Sequence, residues 1–188
     1  MTSLRRAEAE AFVAAAFDAH ARSIYGYCFR RTGDRERAAD LLSMTFLEAW
    51  RRRDADVPEL RVLPWLYGIA TNLIRNEARS RRRYSAALAR LPAPTCEVDF
   101  ANDLTERVHS AEQMREIAAA LRRLPRGERD AFTLCAWQGL STAEAAYAVG
   151  VSENAMRARL SRARRRLARL LDGERLISSS ASLDGRRA

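Results

Sequence analysis

The stretch LSTAEAAYAVGVSENAMRARLSRARRRL, residues 140–167, has the pattern of two helices joined by a tight turn. Ser141 precedes Glu144 by three residues, which is the spacing of a capping box at a helix start. Gly150 suits a turn that needs a positive φ. Ser152 then has the residue type favoured at the start of a second helix. The spacing predicts a helix-turn-helix.

The second helix of this motif is rich in arginine. From Ser141 to Asp172 there are seven Arg and three acidic residues. In a helix-turn-helix the first turns of the second helix enter the major groove, where Arg and Asn make bidentate contacts with base edges. The side chains predicted to face outward are Glu153, Asn154, Arg157, Arg159 and Arg162, followed by Arg164, Arg165 and Arg166, which suit phosphates better. The pattern favours DNA binding over the alternative, a helical hairpin with a solvated basic face.

Composition points the same way. The chain has 188 residues, 47% of them hydrophobic, and a formal net charge of +9. All 33 basic residues are Arg, whose planar group matches phosphate and guanine. The excess of positive charge predicts a polyanionic partner, with nucleic acid ahead of a membrane surface. No apolar run is long enough to span a membrane, and the first residues do not resemble a secretory signal.

Cysteine and histidine usage argues against other functions. Cys28, Cys96 and Cys135 are odd in number, far apart and not at metal-ligand spacing, so we expect neither a disulfide framework nor a zinc site, and a reduced, cytoplasmic protein. His20 and His109 are isolated, and no glycine-rich phosphate loop occurs. We therefore predict no enzymatic activity, no metal and no cofactor.

Apolar residues recur at helical spacing along most of the chain. Helices are predicted from residue 11 to 31, from 35 to 53 and from Pro64 at the first helical position to Arg83. We predict an all-α fold of two small helical bundles joined by a flexible acidic linker, the C-terminal one containing the helix-turn-helix. The predicted ranges are a first domain at 8–84, the linker at 85–111, a second domain at 112–172 and a disordered tail at 173–188.

Three segments resemble bacterial RNA polymerase sigma factors of the extracytoplasmic-function (ECF) class. ALRRLPRGERDAFTLCAWQGLSTAEAAYAVGVSENAMRARLSRARRRLARLL (120–171) is similar to their region 4 domain, which recognises the minus-thirty-five promoter element. RAADLLSMTFLEAWRR (37–52) resembles the polymerase-binding part of their region 2 domain, and PWLYGIATNLIRNEARSRRR (64–83) the part that melts and reads the minus-ten element. Together these matches cover most of residues 11–172.

The resemblance implies a role for each segment. The residues implied in binding core polymerase are Asp40, Leu41, Thr45, Phe46, Glu48 and Trp50. Those implied in minus-ten recognition are Asn72, Arg75, Asn76 and Arg79, with the loop at 55–62 receiving a flipped base. Residues 152–162, Ser152 included, would contact the minus-thirty-five element. The implied partners are core RNA polymerase (its β′ clamp helices and β flap), promoter DNA and, for this class, an anti-sigma factor.

The chain departs from the ECF pattern at a few positions, and some roles stay open. Ala39, Ser43 and Met44 stand where the class usually has acidic residues and Gln, which puts the polymerase contact in question. Ala145 replaces a larger aliphatic residue. Asn72 has the alternative of satisfying a backbone group, and Trp50, Trp65 and Phe46 are expected in the core rather than on DNA.

Two alternatives concern the whole chain and its linker. A stand-alone helix-turn-helix regulator would share the second domain, but the first domain shows no ligand-sensing or phosphoacceptor pattern. The linker acids Glu97, Asp99, Asp103 and Glu106 either occupy a positively charged channel of the polymerase or act as a solubilising spacer.

Overall fold

The structure, a computed structural model, describes the backbone of residues 2–52, 57–88 and 117–184, and side chains within 10–84 and 117–171. Every regular element in these ranges is helical, which confirms the predicted all-α class. The elements are α1 (Thr2–Thr32), α2 (Arg35–Arg51), a 3-10 turn (Glu59–Arg61), α3 (Val62–Leu88), α4 (117–123 of the described residues), α5 (Arg126–Phe132) continued by a π-helical turn (Thr133–Trp137), α6 (Thr142–Val149) and α7 (Glu153–Asp184).

Several helix ends differ from the sequence prediction. α1 begins at Thr2 rather than at residue 11, and α3 ends at Leu88 rather than at Arg83. α3 begins at Val62, so Pro64 is its third residue rather than its first. The proline is still tolerated there, because the N–H groups of the first turn have no partner within the helix. α7 continues to Asp184, through most of the segment predicted as a disordered tail. The predicted acidic linker lies largely outside the described residues, as do positions 55 and 56 of the predicted base-receiving loop.

The described helices form two compact units. The first contains α1, α2, α3 and α6, and the second contains α4, α5 and α7 from Asn154 onward. α6 therefore has its contacts in the first unit, although its place in the sequence is between α5 and α7. The domain limits drawn from the sequence stay a prediction.

A three-helix core of α1, α2 and α3 organises the first unit. Its fully buried side chains include Ile24 and Tyr27 of α1 and Leu66 of α3. The Tyr27 hydroxyl lies 2.7 Å from the Thr71 hydroxyl, and the Thr71 hydroxyl also donates to the Tyr67 carbonyl, so these buried polar groups have partners. Thr45, fully buried in α2, donates its hydroxyl to the Leu41 carbonyl. Cys28 is buried too, and burial raises the pKa of its thiol to about 12, which keeps it uncharged.

The apolar spacing of α1 predicts a buried face that contains Phe17, Ala21, Ile24, Tyr25 and Cys28. Ile24 and Cys28 are buried as predicted, but Phe17 is not. Phe17 is 44% exposed, and its ring packs edge-on against the Phe46 ring at 4.9 Å between centroids. Val13 and Ala16 are buried instead. Neighbouring stripes of a helix both repeat every three to four residues. Spacing alone therefore does not show which stripe the other helices cover.

Two small residues set the contact between α6 and α3. A Cβ atom added to Gly68 would lie 2.2 Å from the carbonyl oxygen of Ala148, closer than any real contact. The backbones therefore touch, and only glycine fits on α3 at this position.

The second unit has a small apolar core. Its buried residues are Ala120, Leu121, Leu124, Ala163 and Leu167. The Arg129 guanidinium donates 3.0 Å to the carbonyl of Leu124, just beyond the end of α4. This contact satisfies a carbonyl that has no partner within the helix, because α4 ends before Leu124.

Candidate polymerase and DNA interfaces

The implied polymerase-binding residues divide into interior and surface groups. Leu41, Thr45 and Phe46 are at most 7% exposed and hold α2 in the helical core. Asp40 is exposed, and Glu48 is half-buried and pairs with Arg52 at 2.7 Å. Trp50 is half-buried as well. Fewer of the implied polymerase-binding residues therefore lie on the surface of α2 than the resemblance suggests.

Two apolar side chains complete that surface. Met44 and Leu47 are 49% and 51% exposed. Positions 40, 44, 47 and 48 have the spacing of a single helix face. In the sequence Met44 stands out only as a departure from the class pattern, and Leu47 is not among the predicted contacts. A large apolar residue breaking the amphipathic pattern of α2 was the available indication.

The implied minus-ten residues share one face of α3. Asn72, Asn76 and Arg79 are exposed, and Arg75 is half-buried. An Arg75 guanidinium nitrogen donates to the Asn72 side-chain oxygen at 3.4 Å. Asn72 therefore lies outside the buried stripe of α3, and the alternative that it satisfies a backbone group stays a prediction.

The opposite side of α3 carries an ion pair between helices. Glu77 accepts from Arg37 of α2 at 2.9 Å and lies 3.7 Å from Arg81. The pair fixes α3 on α2. The four minus-ten candidates remain on the other side, where nucleic acid can approach.

The turn between α6 and α7 has the predicted local geometry. Glu144 accepts from the Ser141 N–H and hydroxyl, and the Glu144 N–H donates back to the Ser141 oxygen, which completes the capping box. These hydrogen bonds lower the pKa of the Glu144 carboxyl. Gly150 has φ +68°, and the Val151 N–H donates to the Ala146 carbonyl. The Thr142 hydroxyl donates to Glu153 at 2.7 Å, so this predicted base-reading carboxylate holds the turn.

The arginines of α7 fall into two groups. The Glu128 side chain, only 8% exposed, lies in the first turn of α5, where the helix dipole favours a negative charge. Its carboxylate oxygens lie 3.4 Å from Arg162 Nε and 3.3 Å from Arg166 Nε. The Arg159 side chain lies across Gly127. A Cβ atom added to Gly127 would lie 3.3 Å from Arg159 Nε and 3.4 Å from Arg159 Cζ. Three of the predicted DNA contacts are therefore held against α5.

Arg162 and Arg166 are still about half exposed, at 49% and 47%, and the second group is exposed as well. Asn154, Arg157, Arg164 and Arg165 are exposed, and Ser152 is exposed at the helix start. The apolar spacing of this helix predicts a buried stripe that includes Met156, Leu160, Ala163 and Leu167, and all four are buried. Sequence analysis missed Glu128, because a single acid at a helix start does not show what it faces.

The described residues contain no cluster of His, Cys, Asp and Glu suited to a metal ion. None of their helices has the length and apolar character needed to cross a lipid bilayer.

Comparison with known families identifies two regions of the chain. The family models for sigma-70 region 2 and sigma-70 region 4 match residues 16–84 and 114–167. The ECF RNA polymerase sigma factor EcfG of Rhodopseudomonas palustris is 30% identical over 157 residues, which is 79% of this chain and 79% of EcfG. SigL of Mycobacterium tuberculosis, also an ECF sigma factor, is 32% identical over 151 residues, 80% of this chain and 83% of SigL.

A solved structure is also similar. RpoE from Bartonella quintana, crystallised with the anti-sigma factor NepR, superposes with a TM-score of 0.63 at 22% identity. The match covers 83% of this chain and 94% of RpoE, and it supports the fold.

These matches define a sigma-70 family protein, with region 2 in its first half and region 4 in its second. The chain belongs to the ECF class of RNA polymerase sigma factors. It thus serves promoter-specific initiation of transcription with RNA polymerase, and the alternative of a stand-alone regulator is not favoured.

Proposed function

We propose that three helix surfaces divide the work of this sigma factor. The Asp40–Met44–Leu47–Glu48 face of α2 binds core polymerase, the Asn72–Arg75–Asn76–Arg79 face of α3 contacts the minus-ten element, and α7 contacts the minus-thirty-five element. The observation that carries the polymerase assignment is the exposure of about half of Met44 and of Leu47.

Exposed Met and Leu on a folded helix mark a surface that a partner covers. Carboxylates at Asp40 and Glu48 flank the two apolar side chains, so the partner surface should combine apolar and basic groups. We infer that Met44 replaces the polar contact usual in the class with an apolar one. Leu41, Thr45 and Phe46 then act by shaping α2 from the core.

For α7, we propose a narrower base-reading set than the sequence implies. Asn154 and Arg157, exposed in the first turns, contact bases. Arg164 and Arg165 contact phosphates. Arg162 and Arg166 hold Glu128, and Arg159 covers Gly127, so their first role is to fix α7 on α5.

We further propose that the protein acts in the cytoplasm, on the nucleoid, without catalytic activity of its own. Because RpoE of B. quintana was solved with the anti-sigma factor NepR, an anti-sigma factor is a proposed partner here as well.

The test combines transcription with two matched variants. Wild-type chain, core polymerase and genomic DNA should give transcript starts that share two upstream elements. M44D/L47D should lower affinity for core polymerase by about 2 kcal/mol or more, some thirtyfold, because charge replaces buried apolar contact. A14D/A15D, which adds the same charge at two exposed positions of α1, should not.

Specific DNA binding by the wild-type chain without polymerase association would contradict the proposal. Equal polymerase affinity for M44D/L47D and A14D/A15D would remove the α2 assignment.

A further inference from the structure

An acidic side chain at the start of α5 pairs with two arginines of α7. The Glu128 carboxylate lies 3.4 Å from Arg162 Nε and 3.3 Å from Arg166 Nε. The Glu128 side chain is 8% exposed, whereas the two arginine side chains are 49% and 47% exposed. A carboxylate so deeply buried needs counter-charges beside it. Glu128 therefore attracts both guanidinium groups toward α5 while they remain accessible from solvent.

The pairing changes the charge that α7 offers to a polyanion. The two arginines alone would have a formal charge of +2, and together with the Glu128 carboxylate they have +1. An arginine that neutralises a phosphate releases a counterion and strengthens binding to DNA of any sequence. A carboxylate that neutralises the arginine instead weakens this sequence-independent attraction.

Gly127 brings a third arginine to the start of α5. The Arg159 side chain lies across Gly127, where a Cβ atom would be 3.3 Å from Arg159 Nε. The three arginines that contact the first turn of α5 follow one another in α7 at intervals of three and four residues, the spacing of one helix face. Arg157, Arg164 and Arg165 are exposed on the same helix. The first turn of α5 thus contacts only part of the arginine set of α7.

We propose that Glu128 competes with DNA phosphates for Arg162 and Arg166, and that it thereby limits the binding of α7 to DNA of any sequence. The inference rests on the proposed contact of α7 with the minus-thirty-five element. Base contacts from Asn154 and Arg157 depend on sequence, whereas phosphate contacts do not. The share of the total affinity that depends on sequence is therefore larger with Glu128 than without it.

Glu128→Gln tests the competition with a small change of shape, because the neutral amide has nearly the same size as the carboxylate. The half-exposed arginines can then turn toward solvent or phosphate. Asp18→Asn is the matched control, since Asp18 is exposed on α1 and the variant changes the net charge by the same unit. Glu128→Asp keeps the net charge and shortens the side chain by one methylene group. It tests the same contact if Glu128→Gln does not fold.

The first measurement is the affinity of the full-length chain for a random-sequence DNA duplex at several salt concentrations. Glu128→Gln should bind about fivefold more tightly than wild type, with a salt slope steeper by about one unit. The gain is modest because solvent already weakens the pairing of half-exposed arginines. Glu128→Asp should bind about two- to threefold more tightly, and Asp18→Asn should match the wild type. Affinities equal to that of Asp18→Asn in both Glu128 variants would overturn the proposal.

The second measurement repeats the substitution in a chain that lacks the two arginines. E128Q/R162A/R166A should bind the random duplex as R162A/R166A does, because no guanidinium is left for Glu128 to hold. An equal gain from Glu128→Gln in both backgrounds would show that overall charge, rather than competition for these arginines, sets the affinity. That result would also overturn the proposal.

R164A/R165A separates this proposal from the function on which it rests. If R164A/R165A weakens binding to the random duplex while Glu128→Gln does not strengthen it, the competition is wrong and the DNA-binding role of α7 stands. If R164A/R165A binds the duplex as wild type does and Glu128→Gln has no effect, both the competition and the assignment of α7 to DNA are wrong.

Discussion

The outer faces of α3 and α7 look alike in sequence but differ in structure. Both present Arg and Asn at helical spacing toward solvent. On α3 the four candidates lie on the side opposite the Arg37–Glu77 ion pair, so the helix is fixed from behind. On α7 the buried carboxylate of Glu128 holds Arg162 and Arg166 on the candidate face itself. Residue type and spacing thus predict the helix face on which an arginine lies. Whether that arginine pairs within the protein or contacts DNA depends on whether a buried acidic group lies beside it.

The largest expected effect separates the two groups of arginines on α7. R162A/R166A should lower the free energy of unfolding by about 2 kcal/mol, because Glu128 stays buried without a counter-charge; half-exposure of the arginines keeps the value below that of a fully buried pair. R164A/R165A removes the same charge and should change stability by less than about 0.5 kcal/mol. Urea denaturation followed by circular dichroism measures both.

A rescue variant gives the matching control. Adding E128Q to R162A/R166A removes the buried charge and should recover about 1 kcal/mol of the loss. If both double variants are equally stable, Glu128 does not distinguish the arginines and the comparison fails.

The next effect concerns specificity within α7. R157A should lose about 1–2 kcal/mol of discrimination at one or two base pairs of the minus-thirty-five element. R165A should weaken binding evenly across sequences and reduce the salt slope by about one unit. Binding of holoenzyme to a set of singly substituted promoters, at several salt concentrations, separates these outcomes. Identical profiles would show that Arg157 is a phosphate contact like Arg165.

A substitution on the outer face of α3 should impair function without lowering the free energy of unfolding. N76A should lower the equilibrium constant for promoter opening roughly fivefold, or about 1 kcal/mol, because it removes an exposed amide that contacts a base. Its free energy of unfolding should stay within about 0.5 kcal/mol of wild type, unlike R162A/R166A. Permanganate reactivity of the opened strand, with denaturation in parallel, makes the comparison. A stability loss equal to that of R162A/R166A would mean that α3 candidates are held by the protein too.

The smallest expected effect is that low pH loosens α6, the helix that leads into α7, more than it loosens α3. Hydrogen bonds from Ser141 lower the pKa of Glu144 below its usual 4.5, so its charged form stabilises the folded cap. That contribution is present above pH 4.5 and is lost as the pH falls through the lowered pKa. Hydrogen exchange between pH 6 and 3.5, corrected for intrinsic rates, should therefore show α6 loosening before α3. In S141A this extra acid sensitivity should disappear; if it persists, Glu144 is not its source.

The sequence was sufficient for some features because they depend on local geometry. The Ser141–Glu144 capping box, the left-handed Gly150 and the buried stripe of α7 all follow from neighbours within a few residues. The family and its function followed from the motifs at 37–52, 64–83 and 120–171, and the comparisons confirmed them.

Other features depend on residues distant in sequence and were not predictable. The ion pairs of Glu128 join positions more than thirty residues apart, and the approach of Gly68 to Ala148 joins positions eighty apart. Phe17 was assigned to the core because adjacent helical stripes have the same spacing. Leu41 and Phe46 were selected by motif position, which does not distinguish residues that contact a partner from residues that shape the helix.

Site-specific cross-linking tests the central claim, that α3 and α7 contact two different promoter elements, most directly. A photoreactive residue is placed at position 76 or at position 157, and the holoenzyme is bound to a promoter. We predict that position 76 cross-links to the minus-ten element and position 157 to the minus-thirty-five element. Cross-links from both positions to the same element, or from neither to DNA, would contradict the account.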